Sequence, residues 1–390
     1  MAAFLGVHVK IGRYHEIPNY MKKEILFIQQ NLQGGGAEKV LLDIINNLDF
    51  NTYNITLLLV DGSGIYNNQI DNRVKTFTLL SFKEIIALGY LRKAHLWFIV
   101  NNYLRLKLKK RLHNAKYDTI VSFMEGISAK CHKFISDRAS RNVSWIHIDL
   151  LLNNWCLNEF SSIKEQRAVY EKMDQIITVS DGAKASFEKL FPGLKISVIY
   201  NLIDKFQIYE KAKQNPYQPS RFTVCNVGRL ANQKRQDRII EVADLCKKNN
   251  LDIDILILGQ GPLREMLEGM IKERGLEDYV HLLGFQKNPY SFIASSDVFL
   301  LTSDSEGYPL VVCESLCLGK PIVATDVTGP HELLCDGSGI LTSKEPIDIY
   351  NALYELYSNK ETLSEYAERA LAKSSIFDIE RQMNDIYRVL

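Results

Sequence analysis

Short runs of apolar residues alternate along this chain with stretches whose apolar positions recur at helical spacing. In the first half the runs are EILFIQQ (24–30), NITLLLV (54–60), DTIVSFM (118–124), VSWIHI (143–148), QIITVS (175–180) and ISVIYN (196–201). The series then starts again with FTVCNVG (222–228), IDILILG (253–259), VHLLGF (280–285), DVFLLTS (297–303), PIVATD (321–326) and SGILTS (338–343). Short apolar strands separated by helices predict parallel sheets covered on both faces, so the fold class is α/β with two Rossmann-like domains. Ligands of such sheets bind beyond the carboxyl ends of the strands, so two domains face each other across a shared cleft.

The pattern divides the chain into an extension of unassigned role (1–20), a first domain (21–204), a linker (205–220), a second domain (221–365) and a C-terminal helix returning toward the first domain (366–390). The linker reading rests on the charged sequence DKFQIYEKAKQNPYQPSR with Pro216 and Pro219. Residues 1–20 carry no clear period, whereas a strand begins directly after Met21, which reads as the functional start.

At 390 residues the chain exceeds one ordinary core, in keeping with two domains. Hydrophobic residues make up 46% and charged residues 24%, an ordinary soluble composition, and the net charge of +1 argues against a nucleic-acid partner. Seven cysteines without a CxxC pair fit a reducing cytoplasm. Cys313 and Cys317 lie one helical turn apart, but no second Cys/His pair with zinc spacing accompanies them, so no metal is expected. The chain has no apolar run of spanning length and no signal-peptide pattern, which places the protein inside the cell.

Three segments carry candidate chemistry. In NLQGGGAEKVLLDIINNL the glycines Gly34, Gly35 and Gly36 stand between the first strand and a helix. They would let the backbone approach an anion at the helix N-terminus, or simply form a tight turn. In NVGRLANQKRQDRIIE, Arg229 and Lys234 follow a strand and suit a diphosphate, while Arg235 and Arg238 read as solvated loop charges. In SDSEGYPLVVCESLCLGK, Pro309 suits the first turn of a helix, Glu306 falls in the loop before it and Glu314 on it. The carboxylates can accept vicinal hydroxyls of a ribose or hexose, and the helix N–H groups can hold phosphate between them.

The Gly-Gly-Ala-Glu order, Gly-Arg-Leu with Lys234 downstream, ILGQGP, and Glu306 with seven residues before Glu314 together resemble glycosyltransferase family 4, retaining enzymes of the GT-B fold. The resemblance runs from about residue 24 to near the end and is strongest in the second domain. It implies a nucleoside diphosphate sugar, UDP-linked, as donor and a glycan or lipid-linked acceptor bound on the first-domain side, in cell-surface polysaccharide synthesis. Arg229 and Lys234 would bind the donor diphosphate, Glu314 the ribose hydroxyls and Glu306 the hexose, with Gly307, Tyr308 and Leu310 offering backbone N–H groups. Gly35 and Gly36 would close on the donor from the other wall, and His147 would lie near the sugar. Without a DxD motif beside these cations, transfer needs no metal or other cofactor. A UDP-N-acetylhexosamine epimerase of similar architecture and a silent sugar-nucleotide scaffold are the competing readings.

Residues 89–117 contain eight lysines and arginines and no acid. Leu96, Ile99, Val100, Tyr103, Leu104 and Leu108 share one face of the predicted helix, expected to pack on the first sheet. The cationic remainder suits an anionic membrane surface or a lipid diphosphate, giving peripheral association with the inner face of the membrane. Trp155 and Phe160 read either as part of a mobile acceptor-side loop or as packed helix.

Overall fold

The protein is described by a computed structural model over residues 21–390; the extension 1–20 lies outside the described residues. The first sheet holds β1 (Lys23–Gln29), β2 (Tyr53–Asp61), β3 (Lys75–Leu80), β4 (Tyr117–Ser122), β5 (Ala139–Ile146), β6 (Gln175–Thr178) and β7 (Ile196–Val198). Their order is β3-β2-β1-β4-β5-β6-β7, with every neighbouring pair parallel. The second sheet holds β8 (Phe222–Val227), β9 (Ile253–Leu258), β10 (Val280–Gly284), β11 (Val298–Leu301), β12 (Ile322–Thr325) and β13 (Ile340–Thr342), in the parallel order β10-β9-β8-β11-β12-β13. Sequence reasoning missed β3, an edge strand whose Lys75, Thr76 and Thr78 are exposed and dilute its apolar pattern.

In each sheet the strand order reverses beside the first strand, between β1 and β4 and between β8 and β11. The loops leaving these strands at their carboxyl ends therefore open onto a crevice at the switch point. The two crevices face each other. One apolar cluster runs through both domains, joining Phe27, Trp145 and Ile203 to Tyr308, Leu310 and Phe299.

The expected linker 205–220 is structured in its first half. Asp204 caps the helix Lys205–Ala212 by accepting from Gln207 N at 2.9 Å. Ile208 and Ala212, four residues apart, bury one face of it against the helices Tyr290–Ser295 and Leu310–Cys317. The C-terminal helix is also two helices. Lys360–Lys373 packs on the second domain, and Ile379–Tyr387 crosses to the first, where the Tyr387 ring stacks on Tyr53 and Thr119 Oγ1 donates to Leu390 O at 2.8 Å.

Segment 89–117 differs from its expectation as well. It divides into the helices Phe82–Lys93 and Trp97–Leu112 at a break where His95 has φ 57°. Val100, Leu104, Leu108 and Leu112 face the sheet as one i, i+4 row, but Leu96, Ile99 and Tyr103 are exposed. Ile99 and Tyr103 each stand one position before a buried residue of that row and so about 100° around the helix from it, and Leu96 is the N-cap, outside the first helical turn. Acids from outside the segment reach two of its cations: Glu84 pairs with Lys107 and Glu159 with Arg92. The segment after β5 is packed, with Phe160 and Cys156 buried, while Leu151 and Leu152 stay exposed.

Candidate active site

The second-domain wall grows from the loops after β8 and β11. After β8 the backbone passes under the β9 turn so closely that a Cβ on Gly259 would lie 1.9 Å from Gly228 O, and one on Gly261 would lie 2.3 Å from Leu230 O. The two glycines of ILGQGP thus fix the path of the Gly228–Leu230 segment. Arg229 projects from it, exposed, and its guanidinium makes no hydrogen bond or ion pair among the described residues. Lys234 Nζ lies 2.6 Å from Glu306 Oε1, which also accepts from Ser303 Oγ at 2.6 Å. The structure therefore brings the predicted cation and the predicted hexose carboxylate into one ion pair.

Arg235 and Arg238 are not solvated loop charges. Arg238 is buried, donates to Thr302 O at 2.9 Å and pairs with Asp304 at 2.8 Å, and Arg235 bridges Asp237 and Asp304. They tie the loop after β11 to the loop after β8. Arg238 lies among the buried residues of its helix face, a position that its charge hid in the sequence.

Pro309 caps the helix Leu310–Cys317, whose first N–H groups have no intrahelical acceptor. Glu314, in the second turn, is almost wholly buried. Its Oε1 accepts from Lys39 Nζ at 2.6 Å and from Tyr290 OH at 3.2 Å. Neither partner was found by sequence reasoning. For Lys39 a signal existed: a cation in the first turn of a helix opposes the helix dipole and calls for a compensating partner.

The first-domain wall is the turn after β1 and the helix Gly36–Asn47. Gly34 has φ 106°, so it alone of the three glycines needs left-handed freedom. Gly35 is extended, and a Cβ there would meet Glu38 Oε2 at 2.1 Å; one on Gly36 would approach Leu310 at 3.3 Å across the cleft. Burial pushes the Glu38 carboxyl up, opposed by backbone donors and by Arg229, and its Oε2 has no hydrogen-bond partner. Burial also raises Asp43, one turn further along, to about 6 against the pull of Lys39 and Lys211.

His147 follows β5. Its N–H donates to Glu125 Oε2 at 3.1 Å, and its ring lies against Phe123 with centroids 4.8 Å apart. Burial lowers the imidazole to about 3, so it is neutral at ordinary pH, and Nε2 has no partner. Its carbonyl meets the other wall: a Cβ on Gly307 would lie 2.1 Å from His147 O. Tyr308 and Leu310 are buried beside this contact, and Asn201 Nδ2 donates to Tyr308 O at 3.3 Å. On the same side Thr328 Oγ1 donates to Asp149 Oδ2 at 2.6 Å, and Glu332 accepts from the Asp181 and Gly182 N–H groups at 3.1 Å. The cleft is thus held together along its length by polar contacts between the domains.

Residues 207–373 match the family model of glycosyl transferases group 1. The match spans the second domain and the helices that flank it. The resemblance drawn from the Glu-x7-Glu block is borne out at family level. A Campylobacter jejuni relative is 27% identical over 95% of this chain and 100% of its own length; it is named N-acetylgalactosamine-N,N'-diacetylbacillosaminyl-diphospho-undecaprenol 4-alpha-N-acetylgalactosaminyltransferase. An uncharacterized glycosyltransferase of Methanocaldococcus jannaschii is 36% identical, the match spanning 43% of each chain. Among solved structures, Anabaena HepE in complex with UDP and glucose superposes with a TM-score of 0.71 at 22% identity, covering 94% of this chain and 98% of that one. The fold of this chain is GT-B, as expected from its sequence.

Proposed function

We propose that the protein is a retaining glycosyltransferase that moves a hexose or N-acetylhexosamine from a UDP-linked donor to a glycan or lipid-linked acceptor in cell-surface polysaccharide synthesis. The observation that carries this reading is the arrangement around the helix Leu310–Cys317, with Glu306 and Glu314 on either side of its open N-terminus and Lys234 and the unpaired Arg229 on the same wall. A diphosphate fits the helix N-terminus and the two cations, which leaves the carboxylates for hydroxyls at the sugar and ribose ends. The names of relatives favour the same chemistry: the Campylobacter protein is named for a diphospho-undecaprenol acceptor, and HepE was crystallised with UDP.

Breaking the anomeric C–O bond puts positive charge on the sugar and negative charge on the departing diphosphate. Arg229 and Lys234 neutralise the latter, so no metal is required of the site. The acceptor hydroxyl forms the new C–O bond on the face the diphosphate leaves, and its proton passes to a diphosphate oxygen. Glu306, already paired with Lys234, serves recognition rather than as nucleophile. His147, neutral and flanked by Phe123, shapes the first-domain side of the sugar pocket.

The acceptor side bears on membrane association. Phe82 (76% exposed), Phe98 (79%) and Leu106 (66%) lie on the two helices that also carry the exposed Lys83, Lys109 and Lys110, a mixture that suits an anionic lipid surface. No helix among the described residues is long and apolar enough to cross a membrane. Cytoplasmic residence, peripheral on the inner membrane face, follows from that reading.

A thermal-shift panel of UDP-, GDP- and ADP-sugars tests the donor, because a ligand of the folded state raises its apparent stability. The UDP-sugars should shift it most; a larger shift with GDP- or ADP-sugars would overturn the UDP assignment. Incubation with the donor alone separates transfer from epimerisation, and an epimerised donor without acceptor would refute the transferase.

A further inference from the structure

Lys39 is a first-domain residue bonded directly to the proposed donor site, and its placement is costly. It sits in the first turn of the helix Gly36–Asn47, where the helix dipole disfavours a cation. Burial also works against its charge, yet Glu314, with Tyr290 and Asp43, holds the ammonium well above the ordinary lysine range. Its Nζ reaches across the cleft to Glu314 Oε1 at 2.6 Å and Tyr290 OH at 2.5 Å, and lies over the Tyr290 ring.

All of these contacts converge on one carboxylate oxygen. Oε1 of Glu314 takes both Lys39 and Tyr290, whereas Oε2 accepts no hydrogen bond among the described residues. A carboxylate gripped by one oxygen presents the other in a fixed direction, and two vicinal hydroxyls need such a fixed acceptor. Resting on the donor reading above, we propose that Lys39 is a positioning residue for ribose recognition: it clamps Glu314 from the opposite domain so that Oε2 faces the nucleoside hydroxyls. Ribose binding is thereby coupled to cleft closure, since the clamp exists only when the walls are together.

The test compares UDP with 2′,3′-dideoxyuridine diphosphate by calorimetry on wild type, Lys39→Met, Lys39→Arg, Glu314→Gln and the Lys39→Met/Glu314→Gln double variant. Each variant's unliganded melting midpoint is recorded as a control for folding. Wild type should prefer UDP by roughly tenfold, the discrimination that one charge-assisted hydrogen bond supports. That preference should collapse in Lys39→Met, return in Lys39→Arg, and fall no further in the double variant than in Glu314→Gln. A preference lost in Glu314→Gln but kept in Lys39→Met overturns the clamp and leaves the donor reading standing. Failure of wild type to bind UDP overturns both. If Lys39→Met does not fold, Lys39→Arg decides: loss of the preference in a folded Lys39→Arg protein refutes positioning by a cation.

Discussion

Gly307→Ala probes how closely the two walls must meet. The residue has no left-handed φ, so the change acts through space alone. Its Cβ would lie 2.1 Å from His147 O and 3.1 Å from Ile148 Cα, both backbone atoms that no rotamer change can move. Reaching ordinary contact at 3.4 Å requires the walls to separate by about 1.3 Å, the difference between 3.4 and 2.1 Å. Overpacking of this kind costs about 1–3 kcal/mol. A misplacement of ~1 Å at a reacting centre lowers rate by about 10²-fold. We therefore expect Gly307→Ala to stay folded, with an unchanged far-ultraviolet circular dichroism spectrum, while steady-state UDP release from the active donor and acceptor falls about a hundredfold. Gly269→Ala is the control: it lies on the exposed face of the helix Arg264–Arg274 with open space where its Cβ would go. It should gain about 1 kcal/mol of stability and keep full activity. A folded Gly307→Ala enzyme working within twofold of wild type would refute the close-contact reasoning.

Arg229→Ala removes an exposed, unpartnered guanidinium, so the melting midpoint should stay put while turnover drops about 10²-fold or more; near-normal turnover would show that Arg229 does not face the diphosphate. Asp43 is raised from 3.8 to about 6 on folding, so the native state binds the extra proton and stability is lost as pH rises from about 4 to 6. Asp43→Asn should remove that loss. His132, lowered to about 4, and His147, lowered to about 3, change stability in the opposite sense, so the difference between the variant and wild-type melting curves is the readout; parallel curves between pH 4 and 7 would contradict it. Phe82→Ser with Phe98→Ser should abolish co-sedimentation with anionic vesicles without altering the melting midpoint, and undiminished sedimentation would place the lipid contact elsewhere.

Much of the fold was legible because buried parallel strands are nearly pure apolar runs. What escaped lay where that rule weakens. β3 alternates at a sheet edge, and the helix Lys205–Ala212 advertises itself only through Ile208 and Ala212 among charges. The site shows the same division. Arg229, Lys234, Glu306 and Glu314 stand in spacings set by one domain's loops, so sequence order carried them. Lys39 meets Glu314 from 275 residues away across the cleft and Tyr290 meets it from 24 residues away on a neighbouring helix, and no local spacing encodes either contact. Arg238 was misread because charge suggests solvent, whereas here it satisfies buried carbonyl and carboxylate oxygens.

The return of the final helix to the first sheet bears on how the chain is made. Met383, Ile386, Val389 and Leu390 bury themselves in the same cluster as Tyr53 and Ile55. Those apolar positions on the first-made sheet gain their cover from the final helix only once the whole second domain has been synthesised. The first domain is thus completed after the second, although its sequence comes earlier, and a chain arrested before Ile379 would carry a folded second domain beside an unfinished first one.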